Sequence, residues 1–315
     1  LFLIFFLLIA ELIIAIQNKT TSTFIKASGV MLIAAIFAIG PNLNIFMSAY
    51  NYSKHTIRGK SELSFNEEQK STSGLDKDYI TAWSYGKDET LSLLIPNVKG
   101  GISNLPISKH TKAIEKVDPQ YKNIVGQFGS YWGEQPFTSG PVYVGAFIFF
   151  LFILGLFILK GWHLRAMLIA TFLAILLAWG RHFMPLTDWF IDNFPYYNKF
   201  RTVSTFLVIP QLVIPFIAAQ VLYKVYKTPD YLKTKMKYFW ISFAVTGGIA
   251  LIIYLMPNLF FSSFLSTQDH QQLAEFIKQG ANQLQVNAIA DNLEIARIGI
   301  LKADAIRSFL FITLG

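Results

Sequence analysis

Between Val203 and Tyr223 the chain carries no charged side chain, and a polar, aromatic, basic segment, RHFMPLTDWFIDNFPYYNKFR (181–201), runs straight into it. A helix crosses the hydrocarbon core of a bilayer in about 20 residues, so a run of this length predicts a membrane span. Lipid offers no hydrogen bonds to the backbone, which restricts such a run to helix or to a closed barrel. Further apolar runs cover Leu1–Ile16, Val30–Met47, Val142–Leu159, Ala166–Trp179 and Tyr238–Met256, and another begins at Ser308. The pattern predicts a mainly α, polytopic membrane protein with about six to seven transmembrane helices. Charged residues make up 15% of the chain, well under the roughly 25% of soluble domains. The absence of cysteine excludes disulfides and thiol chemistry.

The basic residues report sidedness. Lys and Arg crowd the short segments 17–28, 160–165 and 224–237, where Asp230 is the one acid. In the long polar segments they mix with nearly as many acids. The short loops are therefore expected to be cytoplasmic and the long ones exterior. The net charge of +8 reads as this topological signal and implies no nucleic-acid partner. The expected organisation is transmembrane helices 1–2 (1–49), an exterior loop region (50–140), transmembrane helices 3–6 (141–256) with an exterior loop at 180–202, exterior amphipathic helices (257–307), and the start of a further transmembrane helix (308–315). Both ends lie inside apolar runs, which reads as an internal piece of a longer protein. The expected location is the bacterial cytoplasmic membrane.

Local signals refine the spans. Gly40-Pro41-Asn42 should break the second run, because proline removes an N–H and crowds the preceding turn. Pro210 and Pro215 should kink the fifth. Asn18–Lys26 reads as a loop. Gln271–Lys278 and the 286–300 segment read as two surface helices, the second leading into a seventh span. Glu11, inside the first run, is costly in hydrocarbon; it lines a cavity, hydrogen-bonds another helix, or sits near the interface if the helix is shifted. His163 adjoins a cytoplasmic turn; His55, His110 and His270 are isolated and read as surface groups.

Three features bear on chemistry. Arg181, His182, Lys199 and Arg201 are expected to gather at the exterior membrane surface, where guanidinium forks suit phosphate oxygens; as simple interfacial anchors they would need no ligand. Asp88 and Glu89 offer a general base or a divalent-ion ligand, or else cap a helix running through Leu91 to Leu94. Trp132, Trp179, Trp189, Tyr196 and Tyr197 suit either stacking on sugar rings or an interfacial aromatic belt.

The segments SYGKDETLSLLIPNVKGG, YWGEQPFTSGPVYVG and DNFPYYNKFRTVSTFLVIPQ, in this order and separated by membrane runs, resemble the YfhO-like family of bacterial membrane proteins. The residues that match the family's motifs are Ser84, Pro96, Gly101, Gly133, Gly145, Pro195 and Arg201. The resemblance implies a GT-C-like glycosyltransferase that moves a sugar from a polyprenyl-phosphate carrier to a cell-surface glycan or lipid acceptor. It places the key catalytic acid in a first exterior loop, upstream of Leu1. The alternatives are a transporter or flippase, in which Glu11 and broken helices do the work, and a non-catalytic membrane scaffold.

Overall fold

The computed structural model describes residues 2–56, 59, 74–228 and 230–315. These residues are mainly helical, and among them no strand forms; one antiparallel bridge joins Pro106 to Gly129. Three helical stretches are long and apolar enough to cross a membrane: Thr21–Ser53, Val203–Lys227 and Met236–Leu255. A fourth is added if Trp162–Ala178 and Gly180–Asn193, which meet at 110°, count as one broken span. That is fewer than six to seven, and the reason is length. Phe2–Gln17 and Ala146–Ile158 are apolar but have 16 and 13 residues. At 1.5 Å per residue they reach only about 24 and 20 Å, short of a hydrocarbon core of about 30 Å.

The chain forms two compact units. The first comprises residues 1–84 and 160–209. Here Phe2–Gln17 packs along Trp162–Ala178, and both bury small residues: Ala10 and Ala15 on one, Ala166, Ala170 and Ala174 on the other. Small residues let helix axes approach, which is how apolar helices associate where lipid is as apolar as their side chains. Polar ties fix the register. The Glu11 carboxylate lies 2.7 Å from His163 Nε2, and Trp162 Nε1 donates to Gln17 Oε1 at 3.0 Å. Glu11 thus makes the interhelical bond, and the half-exposed His163 is its partner.

The loop expected at Asn18–Lys26 is shorter. Helix resumes at Thr21 and takes in Lys26, after a turn in which Lys19 has φ 57°. The Gly40-Pro41-Asn42 break is a single 3₁₀ turn between Thr21–Ile39 and Leu43–Ser53. None of these helical residues is buried by protein, and Ile36 and Phe37 are largely exposed. Such a face suits lipid contact.

The second unit comprises residues 85–159 and 210–315. One core joins Ala146–Ile158 to the Met236–Leu255 span and to the long helix Gln283–Leu314, through Phe150, Leu154, Ile253, Leu301 and Ile312. Gly155 permits the close contact with residues 210–227, since a Cβ there would stand 2.7 Å from Ile217 Cγ2. A second core collects Ile107, Val125, Phe128, Leu273, Ile289 and Leu293. Each such side chain contributes roughly 1.5–3 kcal/mol by leaving water.

Two capping boxes begin the helices here: Ser266 with Asp269, and Asn282 with Gln285. Each satisfies N–H groups that a helix start leaves orphaned. The helix expected at 286–300 and the run at Ser308 into which it leads are one continuous helix of 32 residues. Lys302, Asp304 and Arg307 do not end it: none of them breaks a helix as proline does, and Arg307 donates to the buried Asp304 carboxylate one turn before it.

Candidate functional site

Arg201 stands at the wall of a hollow of about 650 Å³ in the first unit. The other walls are aromatic and apolar, Phe2, Phe194, Tyr197, Phe200 and Phe206 among them. They form because Phe190, Tyr197 and Phe206 stack into the core of this unit, with ring centroids 5.6 and 6.0 Å apart. Phe2 is held between Phe194 and Phe206, at 5.2 Å from each.

The segment that carries Arg201 is bracketed by two unusual backbone conformations. Tyr196 has φ 64° and Thr202 φ 73°. Positive φ is costly for a β-branched residue, and strain of this kind persists only where the surroundings over-determine it. Tyr196 opens the 3₁₀ turn Tyr197–Lys199, and Thr202 opens Val203–Leu207, which leads into the span. Pro210 then lies in the first turn of the α-helix Val208–Lys227, where the missing N–H is harmless, and Pro215 lies inside it.

The guanidinium is aimed by neighbours from the Lys77–Thr81 helix and the turn after it. Arg201 Nη1 donates to Tyr79 Oη at 2.8 Å, and the group lies 5.7 and 5.4 Å from the Tyr79 and Trp83 ring centres. Among the described residues no carboxylate pairs with it. Arginine has five N–H donors, so stacking and one phenol leave capacity for an anion.

The four expected cations do not all line this hollow. Arg181 is held by backbone: its Nη2 donates to Ala82 O at 2.5 Å, and its own N–H donates to Ser84 Oγ at 2.8 Å. Gly180, at φ 46°, permits that approach, because a Cβ would press on Ser84 and Val203. His182 follows in the same 3₁₀ turn, Gly180–Phe183. Neither residue is a wall of the hollow, and Lys199, two residues before Arg201, is not one either. A helix-like turn that closes onto its neighbour directs Arg181 to the Ala82 carbonyl and the Ser84 hydroxyl, which counting charges along the chain does not foresee. Pro195 is among the lining residues.

Asp88 and Glu89 belong to the second unit and part company there. Both lie on the 3₁₀ helix Asp88–Leu93, which ends before Pro96. Asp88 accepts from Glu89 N–H at 2.9 Å and pairs with Lys99 at 2.5 Å. Glu89 is 3% exposed. Its carboxylate accepts from Gly86 N–H at 2.8 Å, Tyr131 Oη at 2.5 Å and Gln135 Nε2 at 3.2 Å. Burial, with the Glu89 charge beside it, pushes the Tyr131 hydroxyl far above the usual phenol range. Burial does the same to Tyr85, which hydrogen-bonds Ser92. Gly133 makes room for the Glu89 carboxylate, since a Cβ there would overlap it. The space left beside these groups is about 20 Å³, enough for about one water. Among the described residues no three metal-ligating side chains come together.

Trp132 is 3% exposed and packs on Phe261 and Phe264, with Lys99 Nζ 3.8 Å over its ring. It is a core residue, not a belt residue, and so is Tyr197 at 8%. Trp189 and Tyr196 remain exposed.

Sequence reasoning missed the most buried charge in the second unit. Arg297 is 1% exposed and faces Asp269 through two bonds, Nη1 to Oδ2 at 2.6 Å and Nη2 to Oδ1 at 3.0 Å. It also donates to the carbonyls of Phe264, Gly129 and Tyr131. The signal was present: Ser266 and Asp269 have capping-box spacing, which places an acid at a helix start. None of the known protein-family models matches this chain, and neither does any curated protein or solved structure.

Proposed function

We propose that this chain is part of a GT-C-like membrane glycosyltransferase of the YfhO-like kind, which moves a sugar from a polyprenyl-phosphate carrier to a cell-surface acceptor. The observation that carries the reading is the hollow at Arg201. It joins one fixed guanidinium to an apolar, aromatic wall, which suits a phosphate attached to a long hydrocarbon chain. In this reading Arg201 binds the carrier phosphate, and Tyr79 and Trp83 orient it. Lys199 approaches the phosphate once the carrier is seated. Arg181 and His182 support the loop from behind. Asp88 and Glu89 act as structural groups, and the catalytic acid lies outside this stretch of chain.

The reading sets the chain in the bacterial cytoplasmic membrane, with segments 50–140, 180–202 and 257–307 outside. Phe2–Gln17 and Ala146–Ile158 count as short spans, which a locally thinned bilayer accommodates. Arg201→Ala in the full-length protein should abolish transfer to surface glycan while leaving membrane insertion intact. A charge-assisted hydrogen bond contributes about 1.5–3 kcal/mol, so carrier affinity should fall roughly ten- to a hundredfold. Normal transfer by the variant would remove Arg201 from this role.

A flippase is the second reading, favoured by the 110° break between Trp162–Ala178 and Gly180–Asn193 and by the Glu11–His163 pair. Broken helices and intramembrane acids are what transport sites use. Lipid-linked sugar flux into vesicles, intact in a variant that lacks transferase activity, would favour it.

A further inference from the structure

A second basic hollow, of about 460 Å³, lies in the second unit and is walled by Lys112, Lys116, Lys302, Gly299, Tyr254 and Leu255. Two helical elements bring the three lysines together. Lys112 lies on the short helix Thr111–Ile114 and Lys116 just beyond it. Lys302 lies on Gln283–Leu314, one turn after Gly299. The approach is made possible by small residues. A Cβ on Gly299 would stand 3.4 Å from Cα and Cβ of Ala113 and 3.9 Å from Lys116 Cδ, so the glycine sets the helix backbone directly against this turn.

What sets these three lysines apart is that they share the wall of one hollow. Lys77 is paired with Asp188, Lys99 with Asp88 and Lys233 with Asp230. Among the described residues no carboxylate forms an ion pair with Lys112, Lys116 or Lys302. Three like charges around one hollow repel one another, and an anion between them reverses the sign of that interaction. The remaining wall gives the location. Tyr254 and Leu255 form the closing turn of the Met236–Leu255 span, and Leu255 is 60% exposed. The end of a membrane-crossing helix lies at head-group level, where aromatic and basic residues meet lipid phosphates.

We propose that Lys112, Lys116 and Lys302 form a binding site for the phosphate of an anionic lipid head group, whose acyl chains run beside Leu255. The site is built from residues other than those around Arg201, and it stands whether or not the chain is a glycosyltransferase.

The test uses the full chain in equimolar phosphatidylcholine–phosphatidylglycerol vesicles. A reporter tryptophan is placed by Leu259→Trp, an exposed position in the turn that follows the span, and the signal of the chain without it is subtracted. Brominated phosphatidylglycerol should quench the reporter in preference to brominated phosphatidylcholine. Each Lys→Gln substitution should weaken the preference about five-fold, and the triple variant should lose it. Lys→Arg at all three positions should keep it, which separates loss of charge from loss of fold. If the triple variant fails to insert, Lys116→Gln alone reads the same effect. Abolition of the preference by inorganic phosphate would keep the anion site but assign it to a free phosphate. An undiminished preference in the folded triple or single Gln variant would overturn the proposal, as would equal quenching by the two lipids in the parent.

Discussion

Arg297 and Arg201 are the same side chain in opposite circumstances. Arg297 sits in the interior of the second unit with a carboxylate and three carbonyls around it. Arg201 sits at the edge of a hollow in the first, against two aromatic rings and one phenol. The protein satisfies the first almost completely and the second hardly at all. A buried ion must be matched by protein because no water reaches it, whereas an exposed one is solvated by water and stays open to a ligand. Backbone strain lies directly after Arg201, at Thr202. The contrast separates a charge that specifies a fold from a charge available to a ligand.

The sharpest way to break the contrast is to remove the buried arginine. Arg297→Met leaves Asp269 charged and unpaired, and should cost about 3–5 kcal/mol of stability. Arg297→Met with Asp269→Leu should recover a good part of that loss. Thermal unfolding in detergent measures both, and a single variant that melts with the parent would end the structural assignment. Next in size is Thr202→Gly, which relieves the positive-φ strain. It should raise stability by up to about 1 kcal/mol, because strain of about 1–3 kcal/mol is offset by the extra chain entropy of glycine. If the strain holds Arg201 in place, the stabilised variant should also bind a lipid phosphate less tightly.

The smallest expected effect concerns Asp304, a buried carboxylate bonded to Asn97 and Arg307. Burial holds its carboxyl above the ordinary carboxylate range, outweighing the opposing pull of Arg307 and Asn97. Across that window the native state holds a proton that the unfolded chain has released, so stability falls as pH rises. Burial lowers the nearby His110, with Asp304 opposing; its contribution has the other sign, and is lost as pH drops below the ordinary histidine value. Asp304→Asn should therefore flatten the acid side of a stability–pH curve and leave a slope that rises with pH toward neutrality. An unchanged acid slope would mean that Asp304 titrates normally.

The apolar runs were legible because lipid imposes a length and a composition that no other environment demands. Val203–Lys227 and Met236–Leu255 follow directly from them. The break at Pro41 was also legible, because proline acts through its own ring. Arg201 stood out for the same local reason, as a cation at the foot of a span. The rest depended on contacts distant in sequence. Nothing near Arg181 indicates that Ala82 and Ser84 will take its hydrogen bonds. Nothing near Trp132 indicates that Phe261 and Phe264 will bury it. The helix expected to lead through Lys302, Asp304 and Arg307 into the run at Ser308 is continuous over Gln283–Leu314, but nothing near Asp304 indicates that Asn97 will bond it in the interior.

That helix has a mechanical consequence. Its 32 residues make a rod of about 48 Å, longer than the roughly 30 Å that lipid tails occupy. One end carries the Asn282–Gln285 capping box, the middle carries both Arg297 with its buried partner and Lys302, and the other end runs into the apolar core at Ile312. A rod without a hinge cannot tilt at one end alone. Whatever tugs at a head group beside Lys302 is therefore felt at the Asp269 clamp, as a lever moves about its fulcrum.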